Sequence, residues 1–227
     1  ARLEEAILHD EATVQRWQAS IAVRPDPSTS AKIADTTARA AVAADVPRLV
    51  ALSSVGADRE SGTGWIRMNR MFEQRLAEAG VSTIFLRAAY FMENWMPMVG
   101  QAVRNGTLPT FLAPPQHPLP MVATADVGST AAALLQEERT GTYVVTLSGP
   151  KDYAPNDVAA IISATIGKPV DVAVLPETEW PKALADAHFS KAALAGFAEM
   201  TRGLNCSAHT SCPNHGPGPI RECTPQC

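Results

Sequence analysis

Two short stretches carry the residue types that could hold a ligand and act on it. Ser53-Ser54-Val55-Gly56 follows the apolar run Leu49-Val50-Ala51-Leu52. Small and hydroxyl-bearing residues at the tip of such a run let a ligand approach the backbone and offer it short polar groups. Arg87-Ala88-Ala89-Tyr90-Phe91-Met92-Glu93-Asn94-Trp95 follows a second apolar run, Thr83 to Leu86. Its aromatic residues supply a flat apolar wall. Tyr90, Phe91 and Trp95 read equally as ordinary core beneath the proline-rich segment that follows, and the sequence leaves both readings open. A third group lies near the end of the chain. Cys206, His209, Cys212 and His215 are followed by Cys223 and Cys227. These are zinc-type ligands, but their even spacing is not that of a zinc finger, so no metal site is assigned. His9, His117 and His188 read as loop or surface residues. No G-x-S-x-G, H-E-x-x-H or phosphate-loop lysine motif occurs.

The elements that must position these stretches follow from periodicity. Residues 2–18 place Leu3, Ile7, Val14 and Trp17 near one helical face, with a break at His9-Asp10-Glu11. Ser20 to Val23 is a short strand ended by Pro25-Asp26-Pro27. An alanine-rich helix follows to Ala44, capped by Ser28 or Ser30. Leu49 to Leu52 is wholly apolar, as expected of a central parallel strand covered on both faces. The next helix spans Ile66 to Ala79, with Met68, Met71, Phe72, Leu76 and Ala79 inward and Gly80 as its stop. Ser82 to Leu86 completes a βαβ unit. A helix then runs to about Arg104, Asn105-Gly106 turns, and Pro109 to Pro120 is a long loop of the kind used as a lid. Asp126 caps a helix with Val127, Ala131, Leu134 and Leu135 on its face. Tyr143 to Leu147 is a strand and Asn156 to Ile166 a helix. Val170, Val172 and Val174 alternate as a half-exposed strand does. A last helix, capped by Ser190, packs through Leu194, Phe197 and Met200. The fold class is α/β, with a mostly parallel sheet and flanking helices. Ligands of such sheets bind beyond the carboxyl ends of the strands, where both opening stretches fall.

Composition bounds the function. The chain has 227 residues, 46% apolar and 19% charged, enough for a sizeable core. Its formal charge of −4 argues against a nucleic-acid surface. The longest uncharged run, Asn105 to Ala125, contains five prolines and does not read as a membrane span. No signal peptide is visible, and residues 1–205 contain no cysteine, which fits a cytoplasmic protein without a disulfide framework. All four cysteines fall in residues 206–227, which are also rich in proline and lack apolar periodicity. The expected boundary is therefore near Asn205, with a domain over 1–205 and an irregular tail over 206–227.

Val50 to Ala57, Glu73 with Leu76 and Gly80, Thr83 to Arg87 and Phe91-Met92-Glu93-Asn94-Trp95 together resemble the NmrA-like group of atypical short-chain dehydrogenase/reductase proteins. Pro120-Met121-Val122, Asp126-Val127-Gly128 and Ser148-Gly149-Pro150 with Tyr153 fit its C-terminal half. The resemblance covers about residues 8–203. It implies an NAD(P)-binding fold that is partial Rossmann-like, with a small C-terminal substrate lobe and with NADP or NAD lying across the sheet. Arg24 and Pro25 would approach the ribose. Ser53, Ser54 and Val55 would line the nicotinamide end, and Ala88, Ala89, Tyr90 and Phe91 would pack on the nicotinamide. Phe91, Asn94, Trp95 and Met121 would face the substrate.

The chain departs from that pattern in two places. No G-x-x-G-x-x-G turn precedes Leu49, and residues 8–17 resemble the stretch just after the group's third strand. The first two βα units are therefore expected to be missing, which leaves the sheet an exposed edge. The wider superfamily often uses a Tyr-x-x-x-Lys pair, but Trp65 to Glu73 contains neither residue. The function expected from the resemblance is an NAD(P)H-dependent reductase of a small-molecule acceptor, quinone- or azo-like. The rivals are a non-catalytic dinucleotide sensor with a regulatory protein partner and an inactive truncated product. No nucleic-acid or membrane partner is expected.

Overall fold

The structure, a computed structural model, describes residues 27–138, 140–185 and 189–206. The helix expected over 2–18, the strand Ser20 to Val23, Arg24, Pro25, His188 and the Cys/His tail beyond Cys206 lie outside the described residues.

The described chain opens with helix α1 (Pro27–Ala43), then β1 (Leu49–Ser54), α2 (Ile66–Glu78) and β2 (Thr83–Ala88). β3 (Tyr90–Phe91), a 3-10 turn (Met92–Trp95), α3 (Met96–Asn105), β4 (Thr107–Thr110), β5 (Leu119–Val122) and α4 (Thr124–Leu135) follow. The rest is β6 (Tyr143–Leu147), β7 (Asp152–Tyr153), α5 (Pro155–Ile166), β8 (Asp171–Val174), α6 (Trp180–Ala183) and α7 (Lys191–Cys206). β1, β2 and β6 form a parallel sheet in that order. Parallel neighbours need a crossover, and α2 supplies the one between β1 and β2.

The two faces of this sheet are covered by different helices. Ala51 and Phe85 pack with Ala38 of α1 and with Leu76 and Phe72 of α2. Ile84, Leu86 and Ala88 pack on the other face with Val127 and Leu134 of α4. A second core, around Trp95, Ala102, Leu108, Leu119, Met121 and Ala159, lies among α3, α5 and the small sheets. β3 pairs in parallel with β5, β5 pairs antiparallel with β7, and β4 pairs in parallel with β8.

α7 ties the two parts together. Trp65, just before α2, donates its indole N–H to the Ala193 carbonyl at 2.9 Å and packs its ring on Phe189 and Phe197. Phe197 also meets Phe111 and Trp180 edge-on. Gly64 and Gly196 allow this approach. Gly64 has φ +51°, and a Cβ on Gly196 would lie 2.6 Å from the Trp65 ring.

Several expectations need correction. Leu52 is 50% exposed, because among the described residues β1 pairs only with β2 and so lies at the edge of its sheet. Ala79 is exposed, and the buried residues of α2 are Glu73 and Leu76. α1 begins at Pro27, which suits the first helical position, so Ser28 and Ser30 lie inside the helix. The segment Pro109 to Pro120 is no single loop: β4 and β5 claim its ends, since Leu108 and Leu119 are buried and parallel or short edge pairing tolerates the prolines. The cap residue of α4 is Ala123, and Asp126 sits in the first turn. Val174 is exposed and Ala173 half-buried, so β8 lacks strict alternation. The final helix continues through Leu204 to Cys206. The β2, β6 and α5 segments and the Ser190 cap of α7, whose hydroxyl accepts the Ala193 N–H at 3.2 Å, match their expectations closely.

Leu76 is fully buried between two helices and two strands. Leu76→Ala should therefore cost about 2–5 kcal/mol of unfolding free energy. Leu135→Ala, at a position 55% exposed, should stay within about 0.5 kcal/mol of the parent. Urea denaturation of both variants checks the contrast.

Candidate functional site

The carboxyl ends of β1 and β2 lie side by side because the two strands are parallel and in register. Ser53 faces Arg87 and Ser54 faces Ala88 across the ladder. The backbone bonds continue past the strand ends. The Val55 N–H donates to the Ala88 carbonyl at 3.0 Å and the Ala89 N–H to the Leu147 carbonyl at 2.9 Å. One residue on, Tyr90 pairs with Met121 and Phe91 with Val122. The Gly149 N–H donates to the Met121 carbonyl at 2.7 Å, and a Cβ on Gly149 would sit 2.8 Å from that oxygen. Ser53, Ser54, Val55, Ala88, Ala89, Tyr90, Phe91 and Met121 are thus gathered at one end of the sheet.

Their roles there differ. Ser53 is buried and donates its hydroxyl to Glu73 Oε1 at 2.5 Å. Ser54 is half-buried and donates to the Val55 carbonyl, and Val55 is exposed. Ala88 and Ala89 are buried. Tyr90 and Phe91 point to opposite sides, as neighbours in a strand must. Phe91 packs on the core that α4 closes, and Tyr90 packs on the core around Trp95. Asn94 is exposed on the 3-10 turn. Trp95 is 4% exposed, and its indole N–H has no hydrogen-bond partner among the described residues.

Two charged groups fix this end of the sheet. Arg87 donates from Nε to Glu73 Oε1 at 2.9 Å and from a terminal nitrogen to Glu73 Oε2 at 2.6 Å. Such a two-pronged pair has both strength and direction. Asp58 lies 3.6 Å from the other terminal nitrogen. The hydrogen bond to Glu73 holds the Arg87 pKa above its ordinary value, against the opposing effect of burial. Glu93 accepts both the backbone N–H of Thr124, at 2.9 Å, and its hydroxyl, at 2.8 Å. It therefore supplies the anionic cap that α4 lacks in its own cap residue. Partial burial pushes the Glu93 pKa up, but the Thr124 hydrogen bonds outweigh that and hold it below its ordinary value. Burial pushes the Tyr90 phenol up to about 12, with the Asn94 amide hydrogen bond acting in the opposite sense.

The sequence reading gave Glu73 and Arg87 no role. The signal was present: a carboxylate three residues from Leu76 on the buried side of α2 needs a cation, and Arg87 ends the adjacent strand. The Trp65 contacts with α7 had no local signal, since Phe189 and Phe197 are more than a hundred residues away in sequence.

A parallel sheet between helices, with small residues and an aromatic wall at its carboxyl end, defines a Rossmann-like α/β protein. The chain belongs to the NmrA-like family, which it matches over residues 9–206. It is similar in structure to an NADPH-dependent quinone oxidoreductase of Escherichia coli, with 22% identity and a TM-score of 0.64 over 77% of this chain and 65% of that one. It is also similar to the triphenylmethane reductase of a Citrobacter species, solved with NADP(H), with 17% identity and a TM-score of 0.66 over 79% of this chain and 64% of that one. In sequence it is 22% identical over 120 residues to prestalk A differentiation protein A of Dictyostelium discoideum, covering 52% of this chain and 39% of that protein. The chain thus spans less than two thirds of the length of each of these relatives. Among the described residues no helix is long and apolar enough to cross a membrane, and no group of His, Cys, Asp and Glu could hold a metal ion.

Removing one partner of the Glu73–Arg87 pair strands a mostly buried charge. Glu73→Gln should lower stability by about 3–5 kcal/mol, and Glu73→Leu combined with Arg87→Met should recover most of the loss. Chemical denaturation of the two variants beside the parent decides it. Glu93 gives a separate pH signature. A depressed folded-state pKa contributes stability that is present above the unfolded value and lost as pH falls through the folded one. Thermal melts from neutral pH down into the range below about 4.3, the unperturbed glutamate value, should show that loss in the parent and a shallower one in Glu93→Gln.

Proposed function

We propose that the protein is an NAD(P)H-dependent reductase, with its reaction site at the carboxyl ends of β1 and β2. The observation that supports this reading most is the meeting of Ser54 and Val55 with Ala88 and Ala89 at adjacent strand ends, beside Tyr90 and Phe91. The residues present fit the nicotinamide end of NADP or NAD. Ala88 and Ala89 leave room near the backbone, and Gly149 sits where even a methyl group would crowd the Met121 carbonyl. Trp95 keeps a buried indole donor that nothing described satisfies, the kind of group a ligand or water completes. Ser54, Val55, Ala88, Ala89, Tyr90 and Phe91 would hold the ring, and Phe91, Asn94, Trp95 and Met121 would face the acceptor. Ser53 would act from behind, by holding Glu73. Arg24 and Pro25, outside the described residues, are assigned to the ribose by family resemblance.

A bound reduced nicotinamide would supply the hydride. The protein's own contribution is to position the two reactants, to wall one side of the site with apolar rings and to offer hydrogen-bond donors where charge appears. The acceptor class suggested by the similar proteins is a small quinone or dye. One observation favours the second reading, a dinucleotide-binding regulator without turnover: α2 contains no Tyr-x-x-x-Lys pair, and the Trp65 indole at its start is committed to Ala193.

Titration of the full chain with NADPH and NADH, followed by cofactor fluorescence, tests the common part of both readings. Binding at about micromolar Kd is expected, and Ser54→Trp should weaken it tenfold or more, about 1.4 kcal/mol. NADPH oxidation with menadione present then separates the reductase from the regulator, which would bind without turnover. A folded chain that binds neither nucleotide rejects both readings.

A further inference from the structure

The chain between β1 and α2 starts at the proposed reaction site, and its contacts divide into firm and weak ones. Both ends are firm. Just past the tip of β1 the Ala57 N–H donates to the Ser54 carbonyl at 3.0 Å, and Ala57 is buried. At the far end Thr63 is buried, and the Gly62 N–H donates to Glu199 Oε1 of α7 at 3.0 Å. Gly64 lies so close to α7 that a Cβ there would overlap the Gly196 carbonyl. Between these ends Asp58, Arg59, Glu60 and Ser61 are exposed. Gly56 and Gly62 bracket the exposed stretch with φ of +91° and +74°, so each end has a residue that rotates at low steric cost.

The exposed stretch is held by arginines of the neighbouring elements. Arg70 of α2 donates to the Asp58 carbonyl at 2.7 Å, and its other terminal nitrogen lies 3.6 Å from Glu60. This is a tether on a long side chain that can follow the loop. The Asp58 carboxylate lies 3.6 Å from Arg87, so the loop reaches from the tip of β1 to the residue of β2 just before Ala88. The Arg87 guanidinium thus holds two carboxylates very differently. Glu73 meets it at 2.6 Å with a side chain 9% exposed, whereas the Asp58 side chain is 66% exposed. A long, exposed ion pair is weak and screened by salt, and a mostly buried fork is screened much less. Asp58 is therefore the contact that yields first. Its release frees the loop beside Ser54 and Val55 while Glu73 keeps Arg87 in place.

We propose that residues 56–62 form a lid on the strand-tip site, latched by Asp58 on Arg87, and that opening of this latch governs release of the dinucleotide. The proposal rests on the dinucleotide binding argued above and adds its gate. Asp58 acts through Arg87 and the loop, so it is a positioning residue. The far hinge is fixed to Glu199, which makes α7 the frame against which the lid moves.

The test uses the full chain and trypsin, which cuts after arginine and so reports access to exposed Arg59. The fragments are identified by mass spectrometry. At low salt and without nucleotide, Asp58→Asn should be cut after Arg59 about fivefold faster than the parent. Asp58→Glu keeps the charge and should be cut at the parent's rate. Asp35→Asn removes a pair of similar length to Arg75, between α1 and α2, and should also match the parent. In about 1 M salt, where the screening length falls to about 3 Å, the parent and Asp58→Asn should be cut equally. Bound NADPH should slow the cut in the parent about tenfold. Stopped-flow fluorescence should show NADPH leaving Asp58→Asn about fivefold faster than the parent, and leaving Asp35→Asn at the parent's rate. Equal cutting of Asp58→Asn and the parent at low salt overturns the latch and leaves the dinucleotide reading standing, because that arm contains no nucleotide. Faster cutting with unchanged NADPH release, or with no protection by NADPH, overturns the role as a gate. A parent that binds no NADPH overturns the gate together with the dinucleotide reading. Should Asp58→Asn melt early, Asp58→Ser at the same exposed position decides by the same two rates.

Discussion

A buried glutamate can sit on the inner side of a helix only if a cation meets it, and Glu73 is met by Arg87, the next-to-last residue of β2. That requirement fixes more than two side chains. Glu73 also takes the Ser53 hydroxyl, so one carboxylate links α2 to the tips of both β1 and β2. The strands cannot slip by a residue without turning Arg87 to the α4 face, where Ile84, Leu86 and Ala88 pack. The Ser53–Glu73–Arg87 cluster therefore holds the register that brings Ser54 opposite Ala88. Because both charges are paired and hydrogen-bonded, neither Glu73 nor Arg87 is left as an unmatched charge at this end of the sheet.

The sequence made some of this legible and hid the rest, for identifiable reasons. The βαβ unit was readable because apolar runs of strand length flank a helix that Gly80 ends at φ +73°. The site was readable as a pair of strand tips, since parallel sheets place such tips together whatever their side chains. Capping was not readable at α4. Asp126 has the right residue type, but the carboxylate that serves the helix comes from Glu93, thirty-one residues earlier. Proline density likewise suggested one long loop where β4 and β5 form, because burial of Leu108 and Leu119 outweighs the lost backbone donors. Contacts across more than a hundred residues, such as Trp65 with α7, leave no local pattern at all.

The split between Tyr90 and Phe91 explains how one short strand serves two cores. Phe91 closes the core beneath α4, and Tyr90 closes the one around Trp95. β3 is thus the seam between the parallel sheet and the smaller C-terminal part, and β5 holds it there through Met121 and Val122. Glu93 reinforces the seam from the next turn by gripping the start of α4.

That geometry bears on which ligands this end of the sheet can favour. An anionic ligand gains most from arginine forks or from free N–H groups at a helix start. Here the Arg87 fork is spent on Glu73, and the start of α4 is occupied by Glu93. Both places where negative charge would be welcome already hold a carboxylate of the protein itself. What remains at this end of the sheet is a wall of small and aromatic residues, which gives little affinity to a phosphate.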